Sequence, residues 1–209
     1  MRVFPMKRKF GAHEALFQRD DVPPWMIVDG SKKQVEGDFA RKCKEDGCYL
    51  KQTEPYSHWK NAAESSIKEL KRGAGRKMLK ARSPKILWDY CVELESYVRS
   101  HTAHNIYCLN GETPEAIMSG ETLDISQIFE LEWYEWIMFR DLAVSFTEDN
   151  MIPGRYLGIS IDIGTAMTVK ILKSNGEVVH RSTHQYLLLE ELGSTEQKLH
   201  GNPLMRQLQ

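Results

Sequence analysis

Apolar positions along the chain change their period several times, and each change predicts an element. Val3 and Phe4, closed by Pro5, read as the end of a strand, because proline removes a ladder donor. From Lys7 to Arg19, Phe10, Ala12, Leu16 and Phe17 gather near one helical face, and Asp20, Asp21 and Pro23-Pro24 stop that helix. Trp25, Met26, Ile27 and Val28 form a short apolar run before Asp29-Gly30, which predicts a buried strand with an acid at its C-terminal end. A helix is expected over Gln34 to Asp46, with Val35, Phe39 and Cys43 inward and Gly47 as its stop. Cys48, Leu50 and Gln52 then alternate with Tyr49 and Lys51 in a strand that closes at Pro55. Strands and helices in alternation place this part in the α/β class.

Beyond Pro55, Ser57 or Asn61 is positioned to cap a helix whose apolar stripe is Ala63, Ile67, Leu70 and Ala74, with Gly73 and Gly75 expected to loosen it. Pro84 opens another helix, to about Ser100, with Leu87, Trp88, Cys91, Leu94, Tyr97 and Val98 as its apolar positions. Thr113 to Ser119 predicts a short helix closed by Gly120. After Asp124 the period shortens. Tyr134–Phe139, Arg155–Ser160, Met167–Leu172 and Val178–Ser182 read as strands, separated by Asp141, Pro153-Gly154, Gly164 and the hairpin signal Asn175-Gly176. The expected organisation is an α/β part over 1–105, a linker with a short helix over 106–127, a small β-rich module over 128–192 and a polar tail over 193–209.

Composition changes this picture in one respect. The net charge of −1 conceals an asymmetry: up to Trp88 there are 20 Lys and Arg against 11 Asp and Glu, giving +9, and the remainder has 8 against 18, giving −10. A basic first half fits a polyanion partner, through attraction to phosphates and counterion release, against the plainer reading of two differently charged solvated faces. The four cysteines, Cys43, Cys48, Cys91 and Cys108, contain no CxxC pair, so neither a zinc ribbon nor a disulfide framework is indicated and a reducing compartment is expected. His101 and His104 read as polar residues near a helix end rather than as zinc ligands. No apolar run approaches the roughly 18 residues of a membrane span, and the start lacks a signal peptide's apolar region, so the expectation is an intracellular, unsecreted protein with no membrane partner.

Two acids carry candidate chemistry. Asp29 ends a strand, where open α/β sheets bind ligands, and Glu64 lies in the first turn of a helix 35 positions later (64 − 29 = 35). Phosphodiester chemistry uses two Mg²⁺ or Mn²⁺ ions about 4 Å apart, held by carboxylates from different elements. Glu64, Lys68, Lys71 and Arg72 fall at i, i+4, i+7 and i+8, so one helix face joins an acid to three cations. Arg76, Lys77, Lys80 and Arg82 extend the positive run. Taken alone, Asp-Gly is an ordinary turn and Glu before Lys an ordinary surface pair.

The segment Glu54-Pro-Tyr-Ser-His-Trp-Lys-Asn-Ala-Ala-Glu64, with Ile67 and Glu69-Leu-Lys71 after it, resembles the "PYTPQQNGVAER" region of copia-type retrotransposon integrases. Asp29-Gly30 resembles that family's "SDNG" turn, Pro84 to His101 its "LPKSFWAEAV" helix, Gly111-Glu-Thr-Pro-Glu115 its "GKTPEEVW", and Gly154-Arg-Tyr-Leu-Gly158 its "CIFLGY". The order is kept from about Val3 to Leu192. The Asn of the SDNG turn is absent, and Ser65 replaces the Arg after the catalytic Glu.

The resemblance implies a partial RNase H-like core whose first strands are missing, followed by the small β module. It also implies DNA integration by metal-dependent strand transfer, with Asp29 and Glu64 as the second and third catalytic and metal-binding acids. Asn61, Lys68, Lys71, Arg72 and Arg76 would contact DNA. Mg²⁺ or Mn²⁺ would bind only once the family's first Asp, upstream of the matched segments, is supplied, so inactivity of the chain alone is expected. Implied partners are DNA, further copies of the chain and other parts of a Gag-Pol type polyprotein, in nucleus and cytoplasm. The alternative class is a non-enzymatic DNA-binding relic.

A further motif competes. Leu157-Gly-Ile-Ser-Ile-Asp-Ile-Gly-Thr165, with Lys170, Gly176 and Val178 after it, resembles the first phosphate loop of the sugar kinase, actin and Hsp70 superfamily, which would imply ATP. Only 44 residues follow Thr165 (209 − 165), which favours a β-hairpin bent at Gly164.

Overall fold

The computed structural model describes residues 22–28, 36–53, 62–104, 109–121, 125–126, 130–141, 151–163 and 167–186. Strands and helices are mixed, and the chain divides into two compact units, Val3–Lys71 and a larger one containing Arg72–Gln209. The division falls inside a helix rather than in a linker.

In the smaller unit, β1 (Trp25–Val28) and β2 (Tyr49–Gln52) pair in parallel, Trp25 opposite Tyr49 through Val28 opposite Gln52. Parallel neighbours need a crossover, and α1 (Asp38–Glu45) supplies it. The helix starts four residues later than its expected first residue, Gln34, with Gly37 at its N-cap. It ends as expected on Gly47, whose φ of +74° is the left-handed conformation glycine adopts without strain. Cys43 and Cys48 are buried, with Val22, Met26, Phe39 and Leu50 packed on them. The expected burial of β1 is corrected. Trp25 and Ile27 are 57% and 51% exposed, because alternate side chains leave opposite faces of the strand and the described core gathers on the Met26 face.

Helix α2 (Ala62–Ala81) runs 20 residues without a break, which corrects the expected loosening at Gly73 and Gly75. A Cβ at Gly73 would overlap the carboxylate of Glu95, so the glycine makes room for a buried acid instead of breaking the helix. Arg82, at φ +49°, ends the helix, and Ser83 N–H donates back to the Met78 carbonyl at 3.1 Å.

The larger unit is built on a five-stranded antiparallel sheet in the order β6-β5-β4-β3-β7. Its strands are β3 (Trp136–Arg140), β4 (Met151–Ile159), β5 (Val169–Leu172), β6 (Val178–Arg181) and β7 (His184–Tyr186). A 3₁₀ turn, Lys85–Leu87, follows Pro84 and leads into α3 (Trp88–His101), which packs on β4. Leu87, Cys91 and Leu94 join Ile137, Phe139, Tyr156, Leu157 and Ile171 in one core, so helix and sheet share an interior although residues 106–127 separate them in sequence. Trp88, expected on the apolar face, is exposed. Helix α4 (Pro114–Ser119) ends where expected and starts one residue after its expected first residue, Thr113, which is its N-cap. The Thr113 hydroxyl accepts from Ala116 N–H at 3.1 Å, and Gly120 closes the helix at φ +74°.

Pro153-Gly154 lies inside β4, not between strands as expected. β4 pairs with β3 over Met151–Arg155 and with β5 from Arg155 onward, so Pro153 sits where the β5 side asks for no donor. A Cβ at Gly154 would strike Ile171 and Phe139, which is why the sheet takes glycine there. At Gly158, φ +130°, β4 bulges, and Leu94 of α3 comes within 3.4 Å of where a Cβ would stand. Among the described residues no helix is long and apolar enough to cross a membrane.

Candidate functional site

In the smaller unit a β-α-β turn precedes the candidate helix in the chain. The Val28 carbonyl, at the end of β1, accepts from Thr53 N–H at 3.1 Å, which aligns the C-terminal ends of β1 and β2. Asp29 is the next residue in the chain. Asp29 and Asn61 lie outside the described residues, and so do Gly164 and Thr165 of the competing motif.

Glu64 lies in the first turn of α2, where the unpaired N–H groups and the positive end of the helix dipole favour a carboxylate. It is exposed, as are Lys68 and Lys71 on the same face. Arg72 and Arg76 follow on the larger unit's part of the helix and are exposed as well. The opposite stripe is partly corrected. Leu70 and Ala74 are buried as expected, but Ala63 and Ile67 are exposed. The helix therefore presents an acid followed by cations to solvent, an arrangement able to meet phosphates.

Chemically, a divalent metal of the Mg²⁺ class wants several hard oxygens. Glu64 supplies one carboxylate. Among the described residues no three His, Cys, Asp or Glu side chains converge on one point. His101 Nδ1 lies 2.8 Å from the Tyr97 carbonyl and His104 Nε2 2.7 Å from that of Arg99, so each pairs with backbone near the end of α3.

The larger unit holds charge that sequence reading missed. Lys170 is buried, and its amine reaches both Glu93 oxygens at 2.6 and 2.7 Å. Glu95 meets Lys77 at 3.0 Å. Neither pair has a local sequence signal, since Glu93 and Lys170 are 77 positions apart. Ser160 Oγ bonds the Ile163 carbonyl at 2.9 Å and stands 2.8 Å from His180 Nδ1. Burial, then Lys170, lowers the His180 pKa below its ordinary value. The competing phosphate-loop motif is therefore drawn into internal bonds at Ser160 and Lys170, on the antiparallel β4–β5 pair.

A cavity of about 480 Å³ opens in this unit between Lys77, Leu94, Trp133, Tyr134 and Arg155. Arg155 lies 3.6 Å over the Trp136 ring and 4.7 Å over Tyr134. Two further cations at the cavity have acidic partners, Lys77 with Glu95 at 3.0 Å and Lys80 with Glu132 at 2.7 Å.

No family model matches the chain, and no curated protein matches it in sequence. Among solved structures it is similar to a chain of the simian T-cell lymphotropic virus intasome in complex with PP2A regulatory subunit B56 gamma. The identity is 12% and the TM-score 0.42, over 85% of this chain and 61% of that chain. At that distance neither activity nor site residues pass from the neighbour to this protein.

Proposed function

We propose that the chain is part of a copia-type retrotransposon integrase, with Asp29 and Glu64 contributing two carboxylates to a metal-dependent DNA strand-transfer centre. The observation that carries this reading is the setting of Glu64. It is an exposed acid in the first turn of a helix, on one face with Lys68 and Lys71, and follows in sequence a β-α-β turn whose first strand ends immediately before Asp29. The ordered sequence resemblance supports the same assignment. Within it the core is RNase H-like, and Lys68, Lys71, Arg72, Arg76 and Asn61 hold the DNA backbone without reading its sequence.

The two acids would hold Mg²⁺ or Mn²⁺, which polarises the phosphodiester and activates the attacking 3′ hydroxyl. Lys68 and Lys71 would position the phosphates. The remaining carboxylate of the family's set, its first Asp, is not among the matched residues, so weak metal binding without strand joining is the expectation for the chain alone.

Mn²⁺ binding followed by the electron spin resonance of the free ion, with DNA affinity measured in parallel, tests the reading. The expected result is weak Mn²⁺ uptake that falls in Asp29→Asn and Glu64→Gln while duplex affinity stays within about twofold. Salt-sensitive DNA binding with Mn²⁺ uptake unchanged in both variants would favour a DNA-binding relic instead. Absence of DNA binding would remove both readings.

A further inference from the structure

The end of α1 brings two thiols together by backbone geometry. Cys48 N–H donates to the Cys43 carbonyl at 2.7 Å and Gly47 N–H to that of Lys44 at 3.2 Å, with Gly47 left-handed at φ +74°. These two bonds are the six-to-one and five-to-two pair of a Schellman motif, which sets the side chain three residues before the cap against the one two residues after it. Here those positions are Cys43 and Cys48. Both are buried, both are free thiols, and they pack against each other at the centre of the smaller unit's described core.

We propose that Cys43 and Cys48 form a redox site, a dithiol that a hydroperoxide oxidises to an intrachain disulfide tying the end of α1 to the start of β2. One thiolate sulfur attacks a peroxide oxygen and becomes a sulfenic acid, and the cleaved oxygen–oxygen bond releases water after protonation. The second thiol attacks that sulfur, the S–S bond forms, and the sulfenic oxygen leaves with the thiol proton as water. Overall two thiols lose two electrons and two protons, and hydrogen peroxide becomes two waters.

Preorganisation favours the second step, because the attacking sulfur is already beside its target. The first step is slowed by the same burial. Desolvation first, then Cys48 and Asp46, push the Cys43 thiol up to about 11, so little thiolate exists at neutral pH. The site therefore responds to sustained peroxide and responds faster as pH rises.

The test treats the full folded chain with hydrogen peroxide at neutral and at alkaline pH. Remaining thiols are then blocked with N-ethylmaleimide in denaturant, and tryptic peptides are read by mass spectrometry. Cleavage after Lys44 separates the two cysteines, so a disulfide appears as Cys43-Lys44 joined to the peptide ending at Lys51. The expected result is that linked pair as the main product, formed roughly tenfold faster per pH unit below the thiol pKa, since the thiolate is the nucleophile. Gly47→Ala, which strains the left-handed cap, should slow closure while leaving both cysteines in place.

Two blocked thiols at 43 and 48 after prolonged treatment would overturn the proposal. So would sulfinic acid at one of them, a mixture of pairings with Cys91 or Cys108, or closure in the folded chain no more selective than in denaturant. If Gly47→Ala fails to fold, comparing folded with denatured chain still decides.

Discussion

The two units of this chain bury their side chains very differently. The larger one encloses Ile137, Phe139, Tyr156, Leu157 and Ile171 almost completely between α3 and the five-stranded sheet. The described core of the smaller one rests on two cysteines, with Val22, Met26, Phe39 and Leu50 only partly covered, and Tyr49 is 72% exposed beside Trp25. Candidate chemistry lies on the thinly packed side, at Glu64, Lys68 and Lys71, while the densely packed side spends its buried charges on each other. The difference teaches that these buried charges are accounted for by packing, since each has its ion-pair partner inside the larger unit. Lys170 is held against Glu93 of α3 and Glu95 against Lys77 of α2, whereas the candidates Glu64, Lys68 and Lys71 are exposed.

Substitutions can break that contrast. The largest effect is expected from Phe139→Ala, a fully enclosed side chain, at about 3–5 kcal/mol of unfolding free energy in urea titration. A loss below about 1 kcal/mol would mean that the core is far looser than its packing. Next comes Glu93→Ala, which strands the Lys170 ammonium. Removing one partner of a fully buried pair costs about 3–5 kcal/mol, and because Glu93 is partly solvated the expectation is about 2–4. Lys170→Met in the same background should recover part of it.

A pH series sharpens the comparison within the larger unit. Burial lowers the pKa of both His180 and His184 from the ordinary 6.5, so the unfolded chain takes up protons first as pH falls. Their contribution to stability is complete above that value and is lost progressively below it. The urea midpoint should therefore drop between pH 7.5 and pH 5.5, the descending range around the unfolded-state value, and drop less in His180→Asn. An identical slope in the variant would show that other groups set the acid limit.

The smallest stability effect belongs to the candidate site. Glu64→Gln and Lys68→Glu should each change unfolding free energy by less than about 0.5 kcal/mol, being exposed and away from any core. Lys68→Glu should nevertheless weaken duplex binding and flatten its salt dependence, as fluorescence anisotropy would report. A larger fall in stability than in affinity would make this face structural.

Local signals were the legible part of the fold. Thr113 with Gly120, Gly47, and Asn175-Gly176 between β5 and β6 each act within a few residues, and the structure places an element boundary or turn at each. What escaped was set at long range. Gly73 looked like a helix breaker because its partner, Glu95, is on another helix, and Pro153-Gly154 looked like a turn because the side chains that need the space, Phe139 and Ile171, come from neighbouring strands. β7 is three residues long and carries no run to detect. At the candidate site, the exposed first-turn position of Glu64 was legible from helical period and acid placement. The buried Lys170–Glu93 pair was not, since nothing local links residues 77 apart.

The strand order β6-β5-β4-β3-β7 also fixes a sequence of events during synthesis. β3 can zip onto β4 soon after Met151–Arg155 emerge, but its other edge, from Ile137 to Phe139, has to wait for His184–Tyr186. Until then a growing chain carries an unsatisfied row of backbone donors and acceptors along a strongly apolar strand. Between the emergence of residues 155 and 184 one edge of β3 thus stays open to wrong pairing, and a ribosome stalled there would hold the nascent protein in that state.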